Sequence, residues 1–265
     1  MPEGDILRRA ARSLDAALAG QQLVRAELRW PSAAGVDLVG ATVVRTVPYG
    51  KHLFTRFDDG RSLHTHLRME GSWRLVRTGT SEARARSPWV RAVLGTAQWT
   101  AVGHRLGMLD VVRTDDEHTL IGHLGPDVLA DDFPQLGLAE ALRRVSERGD
   151  VPIAEVLLDQ RVCAGIGTLY AAESLYARRL WPWTPAAEVT DVPTLLMTAR
   201  RLMERSVAAP TPTATGDGPR GLTSWVHDRA GRPCLRCGTP VVRGVARRPP
   251  MERPIFYCPT CQTGR

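Results

Sequence analysis

"ATVVRTVPYGKHLFTRFDDGRSLHTHL", residues 41–67, decides the architecture of the first half of the chain. Apolar and β-branched residues recur in short runs around Val43, Val47, Leu53, Phe57 and Leu63, and Gly, Pro and Asp-Gly signals separate them. That texture predicts short strands joined by tight turns. It continues on both sides, in "QLVRAELRW" from residue 22 and in "SWRLV", "WVRAVLG", "AQWTAV" and "MLDVVRT" between 72 and 114. Several short strands at this spacing predict a β-sandwich or barrel.

Upstream, "GDILRRAARSLDAALAG" changes period: Ile6, Leu7, Ala10, Ala11, Leu14 and Leu18 form a helical stripe, and Gly20 fits the stop. "SEARARSP" at 81–88 reads as a mobile loop and "LGPDVLADDFP" at 124–134 as a linker. Beyond it, "LGLAEALRRVSER", "VPIAEVLLDQ", "TLYAAESLYARRL" and "VPTLLMTARRLMERSVA" are helical, and "APTPTATGDGPRG" at 209–221 has a flexible composition. The expected layout is α+β. A helix and β-sandwich domain spans 1–123, a linker 124–134, a helical domain 135–225 and a cysteine module 226–265.

The chain has 265 residues, a formal charge of +7 and a pI near 9.7, which favours a polyanionic partner, nucleic acid first. Lys51 is the only lysine among 35 Lys plus Arg. An ammonium is compact and titratable, whereas a guanidinium effectively keeps its proton, so a lone lysine in an arginine-rich chain raises the question of why an amine stands there. There is no secretory h-region and no run long enough to span a membrane, which predicts a soluble, cytoplasmic protein. A monomer without a small-molecule cofactor is the expectation.

Cys234-x2-Cys237 and Cys258-x2-Cys261, twenty residues apart, predict a tetrahedral thiolate site for one structural zinc ion. The hairpin between the pairs carries Arg243, Arg247, Arg248 and Arg253, suited to phosphates. Cys163 stands alone as a packing thiol. Gly165 and Gly167 in "CAGIGTLYAAE" predict a tight turn opening a helix at Thr168, where backbone amides could meet a phosphate. "MPEG" opens the chain; removal of Met1 leaves Pro2 as an N-terminal secondary amine. An α-amine of pKa about 8 is partly neutral at pH 7 and can attack an aldehyde-like carbon, with Glu3 as general acid.

Taken together, "MPEG…RRA", "YGKHL", "AGIGTLYAAE" and "RPIFYCPTCQ", in this order, resemble the formamidopyrimidine-DNA glycosylase/endonuclease VIII family. Gly at the fourth position resembles the endonuclease VIII branch. The resemblance implies an N-terminal β-sandwich and a helix–two-turns–helix domain with a zinc finger, acting on damaged DNA. It implies a bifunctional glycosylase/AP lyase of base excision repair, removing oxidised bases, pyrimidines foremost. Pro2 would attack C1′ of the flipped-out nucleotide, Glu3 would protonate the ring oxygen, and β,δ-elimination would cut the strand. Lys51, on a strand, would contact phosphate and assist elimination, and Arg253 would grip phosphates beside the lesion. Met69 in "HTHLRMEGSWRL" would fill the void left by the flipped base. "HRLG" at 104–107 resembles the loop of the other intercalators, with His104, Arg105 and Leu106 as candidates.

The chain departs from the family pattern in three places. Asp5 and Ile6 replace an early Glu, Thr168 stands where Asn is usual, and the cysteine pairs are farther apart. Two other functions fit parts of the sequence: a non-catalytic zinc-finger protein that binds damaged or branched DNA, and a zinc-ribbon RNA-binding protein. The second leaves "MPEG" and Lys51 unexplained.

Overall fold

A computed structural model describes residues 2–215, 222–247 and 250–263, in two compact units, 1–123 and 124–265. In the first, helix α1 (Gly4–Leu18) precedes two four-stranded antiparallel sheets. One sheet runs β2 (Val43–Tyr49), β3 (His52–Phe57), β4 (Arg61–His66) and β8 (Met108–Arg113). The other has the order β1 (Arg25–Leu28), β6 (Val90–Gly95), β7 (Trp99–His104) and β5 (Ser72–Arg77). All eight expected strands form. Leu7, Ala11, Leu14 and Leu18 of α1 are buried with Leu53, Leu63, Leu94 and Leu109 from both sheets. The Asp15 carboxylate accepts the Thr46 N–H at 2.6 Å and moors α1 to β2. Gly20, at φ +74°, ends the helix in the left-handed region.

The stretch 81–88 is not a loose loop. A short 3-10 turn (Glu82–Arg84) buries Ala83 and Ala85, and Arg25 of β1 and Arg29 just after it donate to their carbonyls. Two buried alanines and backbone carbonyls bonded to guanidinium groups hold this segment against β1.

In the second unit the segment 124–134 is core rather than linker: Val128, Leu129 and Phe133 are buried among the helices, and Arg200 donates to the Val128 and Ala130 carbonyls. The helices α3 (Leu138–Ser146), α4 (Ile153–Leu158), α5 (Thr168–Ala177) and α6 (Val192–Ala208) follow; the earlier α2 (His118–Ile121) is a single turn in the first unit. The unit ends in a hairpin of β9 (Val242–Ala246) and β10 (Arg253–Tyr257). Glu173 of α5 is buried and accepts the N–H groups of Trp225, Val226 and His227, tying the cysteine-bearing segment to the helices. Among the described residues, no helix is long and apolar enough to cross a membrane.

Candidate active site and nucleic-acid interface

The N-terminus is built into the first unit. Glu3 caps α1 with an extended backbone, and its carbonyl accepts Ile6 and Leu7 N–H at 3.0 and 3.2 Å. Its residue surface is only 2% exposed, and Asp5 in the first turn is buried too. The positive end of the helix macrodipole favours both carboxylates there. Pro2, half-buried, directly precedes this anchored residue. The departure at Asp5 thus keeps a second buried carboxylate in the first turn. Met1, whose removal would free that nitrogen, lies outside the described residues.

Lys51 is at a hairpin tip rather than in a strand. Tyr49 pairs with His52, which leaves Gly50 and Lys51 as a two-residue turn. Gly50 carries the positive φ, +55°, at the first turn position, as a II′-type hairpin demands. Beneath the tip lie three imidazoles. His52 and His66 are cross-strand partners with ring centroids 4.9 Å apart. His52 Nδ1 is 2.8 Å from His64 Nε2, and His64 Nδ1 is 3.2 Å from Asp110 Oδ2. Burial, with the charges of the neighbouring histidines and Lys51, pushes His52 down to about 3. Burial, with Lys51, brings His66 down to about 4. Burial lowers His64 too, against the pull of Asp110. All three rings are therefore neutral near pH 7.

Two loops form the other exposed feature. Met69, in the β4–β5 turn, is 64% exposed. Gly71 closes this turn with its N–H on the Leu67 carbonyl; a Cβ there would stand 2.4 Å from that oxygen, so only glycine fits. Arg105, in the β7–β8 turn, takes φ +49° and donates its N–H to the Trp89 carbonyl. Its guanidinium lies 4.5 Å over the Trp89 ring and pairs with Glu70. The loops meet along a groove of about 470 Å³ lined by Met69, Trp89, Arg91 and Arg105. His104 ends β7, its ring 3.4 Å from Ser87 Oγ. Leu106 is a correction: at 3% exposure it belongs to the sandwich core, because its side chain fills the space above Gly103. Trp89 escaped the sequence reading, since an isolated aromatic in a strand looks like core.

In the second unit, Gly165 takes φ +105° in the turn between α4 and α5, and Gly167 is the N-cap of α5. The Gly165 N–H donates to Gln160 Oε1, and Gln160 Nε2 donates to the Ile166 carbonyl, so this side chain splints the turn. The expected exposed amide at Gly165 is thus engaged, and Thr168 is buried at the first helical position. Arg253 opens β10, half-buried, with Arg243 exposed on β9 and Arg247 just beyond it. Arg248 lies outside the described residues.

The four cysteine sulfurs lie within 4.8 Å of one another, the one group of His, Cys, Asp or Glu among the described residues that could hold a metal ion. Sγ of Cys234 and Cys261 are 3.9 Å apart, and those of Cys237 and Cys258 3.4 Å. A tetrahedron of sulfurs about 2.3 Å from zinc has edges of about 3.8 Å, so the donor set fits that ion. Backbone N–H groups of Arg236 and Cys261 point at sulfurs, as they do around thiolates.

The sequence matches the model of the formamidopyrimidine-DNA glycosylase N-terminal domain over residues 1–114 and that of its H2TH domain over 124–215. The chain belongs to the formamidopyrimidine-DNA glycosylase/endonuclease VIII family of DNA repair glycosylases and lyases. It is 43% identical to a probable endonuclease 8 2 of Streptomyces coelicolor, covering 100% of this chain and 95% of that one. It is 38% identical to the DNA-(apurinic or apyrimidinic site) lyase Nei2 of Mycolicibacterium smegmatis, over 99% of each chain. Among solved structures, the MutM (Fpg) protein of Thermus thermophilus superposes with TM-score 0.75 at 28% identity, over 98% of both chains. The Lactococcus lactis enzyme bound to DNA containing an AP site shares the fold, with TM-score 0.81 at 22% identity, over 99% of this chain and 100% of that one. The family assignment and its endonuclease VIII branch thus agree with the reading of "MPEG" and the cysteine pairs.

Proposed function

We propose that this protein removes oxidised bases, pyrimidines foremost, from DNA by an N-terminal proline Schiff base and then cuts the strand by β,δ-elimination. Pro2 is the nucleophile at C1′, and Glu3, buried beside it, is the general acid at the ring oxygen. Lys51 contacts phosphate and assists elimination. Arg253 and the α5 turn at Gly165, Gly167 and Thr168 meet the backbone of the damaged strand. Met69 enters the space vacated by the flipped nucleotide, with Arg105 and His104 at the second loop. One zinc ion on Cys234, Cys237, Cys258 and Cys261 shapes the hairpin that carries Arg253, a structural role since four thiolates leave no position for water.

The observation that carries this reading is Glu3: a carboxyl buried at a helix N-cap, one residue from the chain's secondary amine, in a member of this family. A burial this complete is costly for a carboxylate with only a structural part to play. The test is excision from duplexes containing thymine glycol, dihydrouracil or 8-oxoguanine, with the N-terminal mass measured on the same sample. Release of the oxidised pyrimidines by protein that begins at Pro2 is expected. Binding to the same duplexes without release or cleavage would favour a DNA-binding protein instead.

A further inference from the structure

The imidazoles under Lys51 form an ordered chain across three strands. Asp110 (β8) is the cross-strand partner of His64 (β4), and His64 bonds to His52 at the start of β3. Hydrogen-bond logic fixes every proton. An ionised Asp110 is acceptor-only, so His64 must carry its proton on Nδ1. A neutral His64 then accepts at Nε2, so His52 must carry its proton on Nδ1. His52 Nε2 is left as an acceptor at the first strand position after Lys51. His66 is oriented the opposite way: its Nδ1 accepts the Arg68 N–H at 2.9 Å, which puts its proton on Nε2. The far end of the chain is not sealed, because the Asp110 side chain is 32% exposed and is steadied by Ser32 Oγ at 3.4 Å.

We infer that Asp110, His64 and His52 are a proton relay that serves Lys51 during strand cleavage. The inference rests on the proposed role of Lys51 in elimination. An ammonium cannot accept a proton, so Lys51 must first lose one to act as a base. The transfer balances in three steps. The Lys51 Nζ–H bond breaks and a His52 Nε2–H bond forms, directly or across one water. The His52 Nδ1 proton moves to His64 Nε2. The His64 Nδ1 proton moves to Asp110 Oδ2, on a side chain that is 32% exposed. Each nitrogen ends neutral. Lys51 then takes the proton from the sugar and becomes an ammonium; once it has released that proton to water, the reverse sequence returns the Asp110 proton to Lys51 and resets the chain. The low proton affinity of the buried rings suits a conduit rather than a store. The other groups acting on these rings are His66 and Arg68 from β4 and the turn after it, with His123 and Glu117 from the segment after β8. None of these replaces the Asp110 carboxylate at the end of the chain.

Asp110→Asn tests this, because an amide donating to His64 Nδ1 would flip the tautomer of His64, and then of His52, from acceptor to donor at Nε2. His52→Gln, at the half-buried end, accepts a hydrogen bond but cannot pass a proton. Single-turnover reactions on an oxidised-pyrimidine duplex would be scored twice, with hot alkali for base release and without it for enzymatic cleavage. In both variants cleavage should fall at least about tenfold more than base release, and the pH profile of cleavage should move to higher pH. Equal losses of release and cleavage in both variants, or unchanged cleavage in variants that keep the wild-type melting temperature, would overturn the relay. Absence of cleavage by the wild-type chain would instead overturn the elimination reading on which the relay rests.

Discussion

Glu117→Gln should destabilise the first unit in a pH-dependent way. Glu117 is nearly buried, and its carboxylate receives Arg56 Nε at 2.9 Å, Arg56 Nη2 at 2.7 Å and Ser62 Oγ at 2.6 Å. The amide keeps one acceptor oxygen but turns the other toward Arg56 as a donor, so one charge-assisted bond is lost and the ion pair with it. Such a bond is worth about 1.5–3 kcal/mol, and Arg56, one-third exposed, recovers part of it from water. A net cost of about 2 kcal/mol follows, or about 8 °C in Tm at roughly 4 °C per kcal/mol for a unit of this size. Burial alone would push the Glu117 carboxyl up, but Arg56 and Ser62 outweigh it and hold it below the usual range. A lowered carboxyl contributes stability above its unfolded pKa and loses it as pH falls through the folded value. The wild-type advantage should therefore be full at pH 7 and shrink below about pH 4.5. Calorimetry of the full chain between pH 7 and pH 3.5, with amide exchange on β3 and β4 to assign the transition, measures it. An unchanged Tm at pH 7, or a deficit that persists undiminished at pH 3.5, would refute the reasoning.

Lys51→Arg keeps the charge but removes the titratable amine, so enzymatic cleavage should fall at least about tenfold more than base release; equal effects on gels with and without alkali would contradict this. Met69→Ala should leave stability within about 0.5 kcal/mol of wild type, because the side chain is exposed, yet slow base release about tenfold or more; a large Tm loss would show that Met69 packs rather than inserts. Chelation of the metal, followed by metal analysis and DNA titration, should release one zinc per chain and weaken DNA binding while α1 and the two sheets stay protected from exchange. Cys163 is buried, and burial with the charge of Asp127 raises its thiol far above its ordinary range. Iodoacetamide should spare it in the native protein and modify it after unfolding.

The sandwich was legible because a half-buried sheet imprints its period on the sequence, and Asp-Gly signals mark its turns. The position of Lys51 was not: a Gly-Lys turn is a weaker signal than Asn-Gly or Asp-Gly, so the pattern places Lys51 in a strand rather than in the turn between two. The 81–88 segment looked mobile because its arginines and serines are polar, whereas its anchors, Arg25 and Arg29, lie more than fifty residues away. Leu106 was misplaced for a related reason. A short loop says nothing of which residue turns inward, and the bare Cα of Gly103 is what admits that side chain. The alternation "HTH" does put His64 and His66 on one side of a strand, but the chain to His52 and Asp110 depends on register, which local pattern does not carry. Pro2, Glu3 and the cysteine pairs were readable because their chemistry depends on residue type and spacing more than on tertiary neighbours.

The central claim is a covalent iminium on Pro2, and borohydride trapping tests it most directly. Purified protein would be mixed with labelled duplex carrying an abasic site or an oxidised pyrimidine, reduced, and resolved by denaturing gel. A cross-linked species whose mass maps to Pro2, and which disappears in Pro2→Gly or when Met1 is retained, is the predicted result. No cross-link on either strand, with binding to both intact, would contradict it.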